Sequence, residues 1–398
     1  MGSAACLVKK VGTDAAGPEH IVPALFLNSL WTIVTMSLSE RYTISQIRKP
    51  PPPQSVRYHE GDRYDFLDRH LNYCARVKYD HTKSALREFA HQLFKIATDE
   101  RMLRIAMDHL EERGGDSPGP DGLKLLDMDD RDKWDECRAL RDDIREGTYR
   151  PGPERVVMID KASGNGKRPL TLQNVTDRVV QRAVLETIQP LLDPLFVDGS
   201  YGFRPRVSRF HALAHAEKFF ASGHCVWVCE DIRDAFLNVP IGRLVQLFKR
   251  YLAANDLTAF VSTLLGGASM PGLRQGAPLS PILLNLYLHH HLDRLWKTRH
   301  AETPLIRVAD DLLLVCESLS EAKRARDALA KMLRPTGLAL KVDPTSGIRT
   351  LSKKSPAIWM GYVITKHRGQ LRCQISERAW HSLDDGLRAA SANTTAQP

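Results

Sequence analysis

Two adjacent aspartates, Asp310 and Asp311, interrupt an otherwise apolar run from Leu305 to Cys316. The flanking runs are short, bounded by Pro304 before and by Glu317 and Ser318 after, and read as two strands of a buried hairpin with the acids at its turn. Carboxylates set between such runs are costly to strip of water unless a cation lies against them. The other acid pairs, Asp129 with Asp130, Asp142 with Asp143 and Asp384 with Asp385, stand in polar or helical surroundings and read as solvated. The pair at 310 and 311 reads as a metal site. A second buried-strand pattern, Cys225 to Cys229, runs into Glu230 and Asp231, and the strand's exit places the Asp231 carboxylate where it can meet the other two. Hard oxygen ligands from separate elements, gathered round two Mg²⁺ ions, are what metal-assisted phosphoryl transfer requires. Glu230 and Asp234 read as supporting or solvated groups, and Cys225 and Cys229 as strand packing.

Three further stretches could hold substrate. Lys161 to Leu170 is a glycine-containing basic turn after the strand pattern Val156 to Ile159, and cations on a hairpin tip suit a triphosphate. A solvated basic turn is the plain alternative. Ser200-Tyr201-Gly202-Phe203-Arg204-Pro205 mixes aromatic and basic residues as a nucleic-acid-facing surface does, which makes Arg204 a template or primer candidate. Pro271 to Pro281 is a loop of small residues tipping into the apolar helix Ile282 to Leu288. Ser280 is placed to cap that helix and Pro281 suits its first position, while the small residues would let a base pair approach the backbone.

The elements that must position these groups are legible in part. Apolar residues at helical spacing predict one or two helices over Thr82 to Arg113, ended by a turn-rich loop from Gly114 to Gly122. Helices are also predicted at about Asp129 to Glu146, Asp177 to Leu192 and Ser320 to Leu333, and a hairpin at Trp359 to Tyr362. With 398 residues, 43% hydrophobic and 26% charged, the chain has the composition of a globular protein with ample core. The net charge of +9 favours a polyanionic partner. Seven scattered cysteines with no Cys-x-x-Cys support neither a disulfide framework nor a zinc site, and fit a reducing cytoplasm. Ile21 to Leu38 is apolar but broken by Pro23 and polar residues, so it reads as an extension rather than a membrane span. Pro50 to Pro53 reads as a stiff linker.

Taken together, from about Gly119 to Tyr362, the blocks resemble a reverse transcriptase of the bacterial group II intron-like lineage. Gly119 to Gly122 resembles its amino-terminal motif, Lys161 to Leu170 its fingers hairpin, and Ser200 to Pro205 the block after that. Asp231 to Phe236 and Gln275 to Pro281 resemble the first two palm motifs, Val308 to Asp311 the two-aspartate box, and Met360 to Tyr362 the primer grip. The resemblance implies Asp231, Asp310 and Asp311 as metal-binding carboxylates, with the Ile232 carbonyl assisting two Mg²⁺ ions for which Mn²⁺ could substitute. It implies that Lys161 and Arg168 hold the incoming triphosphate and that Phe236 is a steric gate selecting dNTPs. Gln275, Gly276 and Pro278 would contact the nascent pair and template, and Gly361 and Tyr362 the primer. Val308 stands where the family most often has tyrosine, which alters packing at the primer terminus. Asp343 to Gly347 lacks the family's lysine before a threonine, which leaves Lys341 as the candidate replacement and its part as a general acid open.

The expected fold is α/β of the α+β kind, a right-hand polymerase with an antiparallel palm sheet backed by helices. Residues 1–80 form an extension of unknown role, 81–224 the fingers, 225–365 the palm, and 366–398 a short tail or thumb remnant, the thumb being minimal or absent. The expected activity is RNA-directed DNA synthesis on an RNA template, a structured non-coding RNA among the candidates, in a stand-alone antiphage or retron-like system. A protein partner or structured RNA would supply what the thumb lacks, a homo-oligomer is a further candidate assembly, and no membrane is expected. Template-independent or protein-primed synthesis, and a non-catalytic RNA-binding scaffold, are the alternatives.

Overall fold

A computed structural model describes residues 62–394 apart from 81–82, 114–116, 161–165, 267–270 and 342–346. The apolar segment from Ile21, the tetraproline, Lys161 and Asp343 to Ser346 lie outside the described residues. The chain opens with helices α1 (Asp62–Asp80), α2 (Lys83–Ala97), α3 (Glu100–Glu112) and α4 (Asp130–Glu146). The two helices expected between Thr82 and Arg113 are present as α2 and α3, divided at Asp99, whose carboxylate accepts from the Arg101 backbone N–H. Met102, Leu103, Ala106 and Met107 form the buried face of α3. A reciprocal capping box of Asp129 and Asp132 starts α4, and Gly147 ends it with φ 75°. Of the acids at 129 and 130, Asp129 closes the helix end, whereas Asp130 accepts from the Arg104 guanidinium of α3.

Strands β1 (Arg155–Asp160) and β2 (Lys167–Leu172) pair antiparallel as an isolated hairpin. Then come α5 (Val175–Leu192), α6 (Arg209–Ala221), β3 (Val226–Asp231), α7 (Ile241–Leu252), α8 (Asn255–Leu264) and α9 (Ser280–Leu288). A π-helical turn, His289–Asp293, carries the chain into the short helix α10 (Arg294–Arg299). The expected hairpin follows as β4 (Leu305–Val308) and β5 (Asp311–Cys316). The rest is α11 (Leu319–Leu333), β6 (Gly347–Thr350), β7 (Ala357–Trp359), β8 (Tyr362–His367), β9 (Gln370–Ile375) and α12 (Glu377–Thr394).

The central sheet has the order β4-β5-β3-β6 with every neighbour antiparallel, and β7-β8-β9 form a second sheet. Both faces of the central sheet are covered, which explains why its strands read as unbroken apolar runs instead of alternating ones. Val226, Val228, Leu312 and Leu314 join a large core shared with α11 and the amino-terminal helices. Trp227, Cys229, Leu313 and Val315 join a second core with α6 and the β7-β8-β9 sheet. Cys229 of β3 is buried in this second core and Cys225, just before the strand, packs against it, both as expected. Residues 62–80, which the sequence left without a role, are helix α1: Cys74 is buried in the large core and Tyr64, Phe66 and Leu67 pack against it.

Ser280 does not cap α9; it is the first residue of the helix and is 2% exposed. The residue before it, Leu279, is already right-handed helical (φ −82°, ψ −24°), so no extended cap residue exists from which a hydroxyl could turn back on the first N–H groups. Among the described residues no helix is long and apolar enough to cross a membrane.

Candidate active site

Antiparallel pairing of β3 with β5 sets Asp231 directly opposite Asp311, and Val308 faces Asp311 across β4 and β5. Ala309 and Asp310 are left as the two central residues of a tight hairpin turn. A two-residue turn that follows the strands' twist needs positive φ at its first central position, and Ala309 takes it at φ 60°. The Ile232 N–H donates to the Asp310 carbonyl at 3.0 Å, tying the turn to the exit of β3. The three aspartates therefore meet at one rim of the central sheet, on two elements, each half-buried. Two residues inward along each strand, on the same face, Cys229 and Leu313 are buried and apolar.

Strand parity decides which acids belong to this rim. Asp231 and Asp311 share the face of Trp227 and Leu313, whereas Glu230 points to the other face. There Glu230 is 3% exposed and accepts from the Arg326 guanidinium of α11. It is neither solvated nor beside the aspartates, because successive strand residues face opposite ways. Asp234 lies past the strand in a turn at φ 45° and its carbonyl accepts from the Asn238 N–H.

Burial pushes the Asp310 carboxyl above its ordinary range, with Arg307, Lys341 and Arg168 acting in the opposite sense. Asp311 is raised well above that range, by burial first and then by the charges of Asp310 and Asp231. Three carboxylates that repel one another in a half-buried pocket are a donor set of hard oxygens short of positive charge. Two cations lie within reach. The Lys341 ammonium is 3.6 Å from Asp231 Oδ2, and its backbone N–H donates to the Asp231 carbonyl at 2.7 Å. Arg168, exposed on β2 opposite Ile159, is the third charge acting on Asp310. Among the described residues no three acidic, histidine or cysteine side chains form a self-sufficient metal cluster.

The loop from Pro271 to Leu279 stitches the site together. Leu273 N–H donates to the Phe236 carbonyl at 2.7 Å, and Thr171 N–H of β2 donates to the Gln275 carbonyl at 2.8 Å. The loop thereby bridges the β1-β2 hairpin, through Gln275, and the segment carrying Phe236, through Leu273. The glycines here let the loop pack closely on its protein neighbours, with Gly276 exposed on its other side. A Cβ on Gly272 would sit 2.1 Å from the Leu237 carbonyl oxygen, and one on Gly276 (φ 103°) 2.8 Å from that of Thr171. Pro278 is half-buried within this loop. The Phe236 ring meets Phe203 edge-on at 6.0 Å, and Phe203 is itself 46% exposed with φ 55°.

The other nucleic-acid candidates are held differently. Arg204 spends its guanidinium on Asp193 Oδ1 (2.7 Å) and on the carbonyls of Ser200 (2.8 Å) and Val197 (3.2 Å), which makes it a brace for its own loop. Gly361 lies in the β7-β8 turn at φ 80°, where glycine is the undemanding choice. Tyr362 is 7% exposed and packs into the second core. Lys161 lies outside the described residues.

Sequence reasoning missed the side chains behind the turn. Arg307, one residue before Val308, is 1% exposed and bonds Asp293, Asn285 and Ser200. Its signal was a lone cation inside an apolar strand; its partners stand 14, 22 and 107 residues away.

A family model for the reverse transcriptase (RNA-dependent DNA polymerase) matches residues 159–364. Protein YkfC of Escherichia coli (strain K12) is 32% identical over 207 residues, 49% of this chain and 54% of that protein. Group II intron-encoded protein LtrA of Lactococcus lactis subsp. cremoris is 30% identical over 175 residues, 42% of this chain and 29% of that protein. The chain thus spans about half the length of the first of these relatives and less than a third of the second. Among solved structures, a chain of a Cas6-RT-Cas1–Cas2 complex aligns over 71% of this chain and 35% of its own, at 19% identity and a TM-score of 0.38.

Proposed function

The chain belongs to the reverse transcriptase family, and on that premise we propose that it is an RNA-directed DNA polymerase that extends a primer 3′-hydroxyl by one dNMP at a time. The observation that carries the reading is the β3-β5 register, which sets Asp231 opposite Asp311 with Asp310 in the adjoining turn. In this reading the 3′-hydroxyl attacks the α-phosphate of a dNTP, a P–O bond forms, and pyrophosphate leaves. Asp231, Asp310 and Asp311, with the Ile232 carbonyl, would hold two Mg²⁺ ions, for which Mn²⁺ could stand in. When bound, such ions neutralise phosphate charge and make the attacking hydroxyl more acidic.

The protein's own groups do the positioning. Arg168, exposed near the aspartates, would grip the triphosphate, with Lys161 assigned the same task from its place in the sequence. Phe236 would lie under the sugar and crowd out a 2′-hydroxyl, with Phe203 fixing its ring from one side. The Gln275 loop would support the nascent pair, since its backbone already links the hairpin to the Phe236 segment. Lys341 offsets the charge of Asp231. Holding hydroxyl and phosphate in line is where most of the rate enhancement would arise, because positioning can be worth about 7–11 kcal/mol.

Purified full-length protein with Mg²⁺, dNTPs and a primed RNA template is expected to yield template-copied DNA, and the Asp310→Ala, Asp311→Ala double variant none. Activity in that double variant would end the assignment of the site. DNA made without template, or linked covalently to protein, would replace the templated reading with protein-primed synthesis. Absence of product from the wild type under every condition would favour an RNA-binding scaffold. We place the enzyme in the cytoplasm, in a bacterial element of an antiphage or retron-like kind. DNA recovered with the protein from cells tests this: copies of one dedicated RNA support it, and copies of an intron transcript overturn it.

A further inference from the structure

Behind the aspartate turn lies a buried hub. A guanidinium carries five N–H donors in a rigid plane. In Arg307 each has an acceptor: Nε gives to Asp293 Oδ1 (2.9 Å), Nη1 to Asn285 Oδ1 (2.9 Å) and the Ala309 carbonyl (2.9 Å), and Nη2 to Ser200 Oγ (2.7 Å) and Asp293 Oδ2 (2.6 Å). Ser200 and Asn285 are fully buried, and Asp293 is 3% exposed. Only one of these acceptors lies on the turn itself, and it is the carbonyl of Ala309, the residue forced to positive φ. An alanine there costs about 1–2 kcal/mol that a glycine would not.

The remaining partners are brought in by two irregularities. Asn285 and Asp293 are eight residues apart, which in an unbroken α-helix would leave them about 80° out of phase. The π turn His289–Asp293 absorbs one extra residue, so they stand as if seven apart and nearly on one face. Both then reach Arg307. On the other side the segment Gly199 to Gly202 lies parallel to β4: Arg307 N–H donates to Gly199 and Tyr201 N–H to Arg307, each at 2.8 Å. Asn285 Nδ2 ties the same segment through the Gly202 carbonyl at 2.6 Å. The approach is so close that a Cβ on Gly202 would sit 2.1 Å from the Ala309 nitrogen.

We propose that Arg307 is the positioning residue of the catalytic turn, clamping the Ala309 peptide against the Ser200–Gly202 segment and the π turn so that Asp310 and Asp311 are presented in one fixed geometry. The inference rests on the reading of these aspartates as metal-binding, and goes beyond it by assigning the geometry to a side chain that touches neither metal nor substrate. A buried ion pair kept for stability alone is commonly replaceable by apolar residues. This one is spent, donor by donor, on the strained turn and on the two elements that flank it.

The test uses full-length Arg307→Lys and Ser200→Ala, with Asp310→Ala as control. Pre-steady-state bursts count the active molecules and give turnover per active molecule, alongside the dNTP KM and the melting temperature. Lysine keeps the charge but cannot reproduce the fork. Arg307→Lys is expected to lower turnover per active molecule by about 10–100-fold, and Ser200→Ala by roughly threefold, with KM for dNTP within about twofold of wild type. A merely structural role would instead lower the melting temperature and the number of active molecules while leaving turnover per active molecule unchanged; that result overturns the proposal. If Arg307→Lys does not fold, Ser200→Ala decides on the same criterion. Full turnover in Asp310→Ala would sink the reading of the site itself, which separates the two failures.

Discussion

Asp311 sits at a position where function and stability pull in opposite directions. Its carboxyl is held well above the ordinary range by burial and then by Asp310 and Asp231, so the folded state disfavours its ionised form. A group whose folded pKa is raised contributes stability below its unfolded pKa and loses it as pH rises through the folded value. At neutral pH the ionised carboxylate is therefore a burden that a neutral isostere relieves. Asp311→Asn is expected to melt at higher temperature than wild type in EDTA, to lose the stabilisation that millimolar Mg²⁺ gives the wild type, and to have no polymerase activity. A lower melting temperature in EDTA would contradict the origin of the shift. Phe236→Ala tests the sugar gate: discrimination against ribonucleotides should fall on the order of 10–100-fold, read as the ratio of kcat/KM for dNTP and rNTP. Unchanged discrimination would remove Phe236 from that role. The acids themselves were legible because an acid pair inside a buried run has few bland explanations. Arg307 was not, since the acceptors that make sense of it arrive from elements distant in the chain and its own strand offers no local partner.

At the scale of elements, legibility followed the strength of periodicity and caps. Helices α2 to α5 and α11 carry clear apolar stripes or capping residues, and the two-aspartate hairpin carries its own turn. Helix α6 has little amphipathic contrast because it is pressed between sheet and solvent with small residues, Ala212 and Ala216, on its buried side. The π turn has no sequence signature at all; His289 to His291 look like an ordinary continuation of α9, and only the need to bring Asp293 to Arg307 explains the extra residue. The stretch from Ser200 to Pro205 read as a nucleic-acid surface, yet Gly202 within it and Gly199 just before it are demanded by protein backbone. Gly202→Ala is the sharpest test at this scale. The neighbour its Cβ would meet is the Ala309 backbone and not a flexible side chain, so the turn must shift. Overpacking of this kind typically costs about 1–3 kcal/mol, and polymerase activity is expected to fall more than the melting temperature indicates. By contrast Asp129→Ala, which opens the capping box of α4, should cost about 1 kcal/mol and leave turnover unchanged. Equal effects of the two on turnover would deny the turn its special place.

For the whole molecule, the histidines are the groups most able to set its response to acid. Burial, aided by the charges of Arg182 and Arg113, lowers His109 to about 3. Its Nδ1 accepts from Arg182 at 3.3 Å, which requires the neutral ring, so its 3.8 Å approach to Glu186 is not an ion pair at neutral pH. Burial likewise lowers His289 to about 4 and, with His290 and Arg243, His291 to about 4. These three sit in different packing layers, His109 in α3 against α5 and the others in the π turn behind the two-aspartate hairpin. For each, the folded pKa lies below the ordinary 6.5. Between those limits the unfolded chain binds protons that the folded chain refuses, and folding stability rises with pH. The melting temperature is therefore expected to hold above pH 6.5 and to fall steadily as pH drops from there toward 4. The raised carboxyls of Asp310, Asp311, Asp177 and Glu136 act in the opposite sense, favouring the fold on acidification, but they are set against six imidazoles held below their ordinary value, with His70, His215 and His290 adding to the three above. His109→Gln keeps a polar group that can face Arg182 without a titrating proton, and His291→Gln does the same in the π turn. The double variant should flatten the acid limb of the stability profile between about pH 6.5 and 4 while leaving the plateau in place. An acid limb of undiminished slope in that variant would move the origin of acid sensitivity away from the buried imidazoles and onto the carboxylates paired with arginine, such as Asp99 with Arg101.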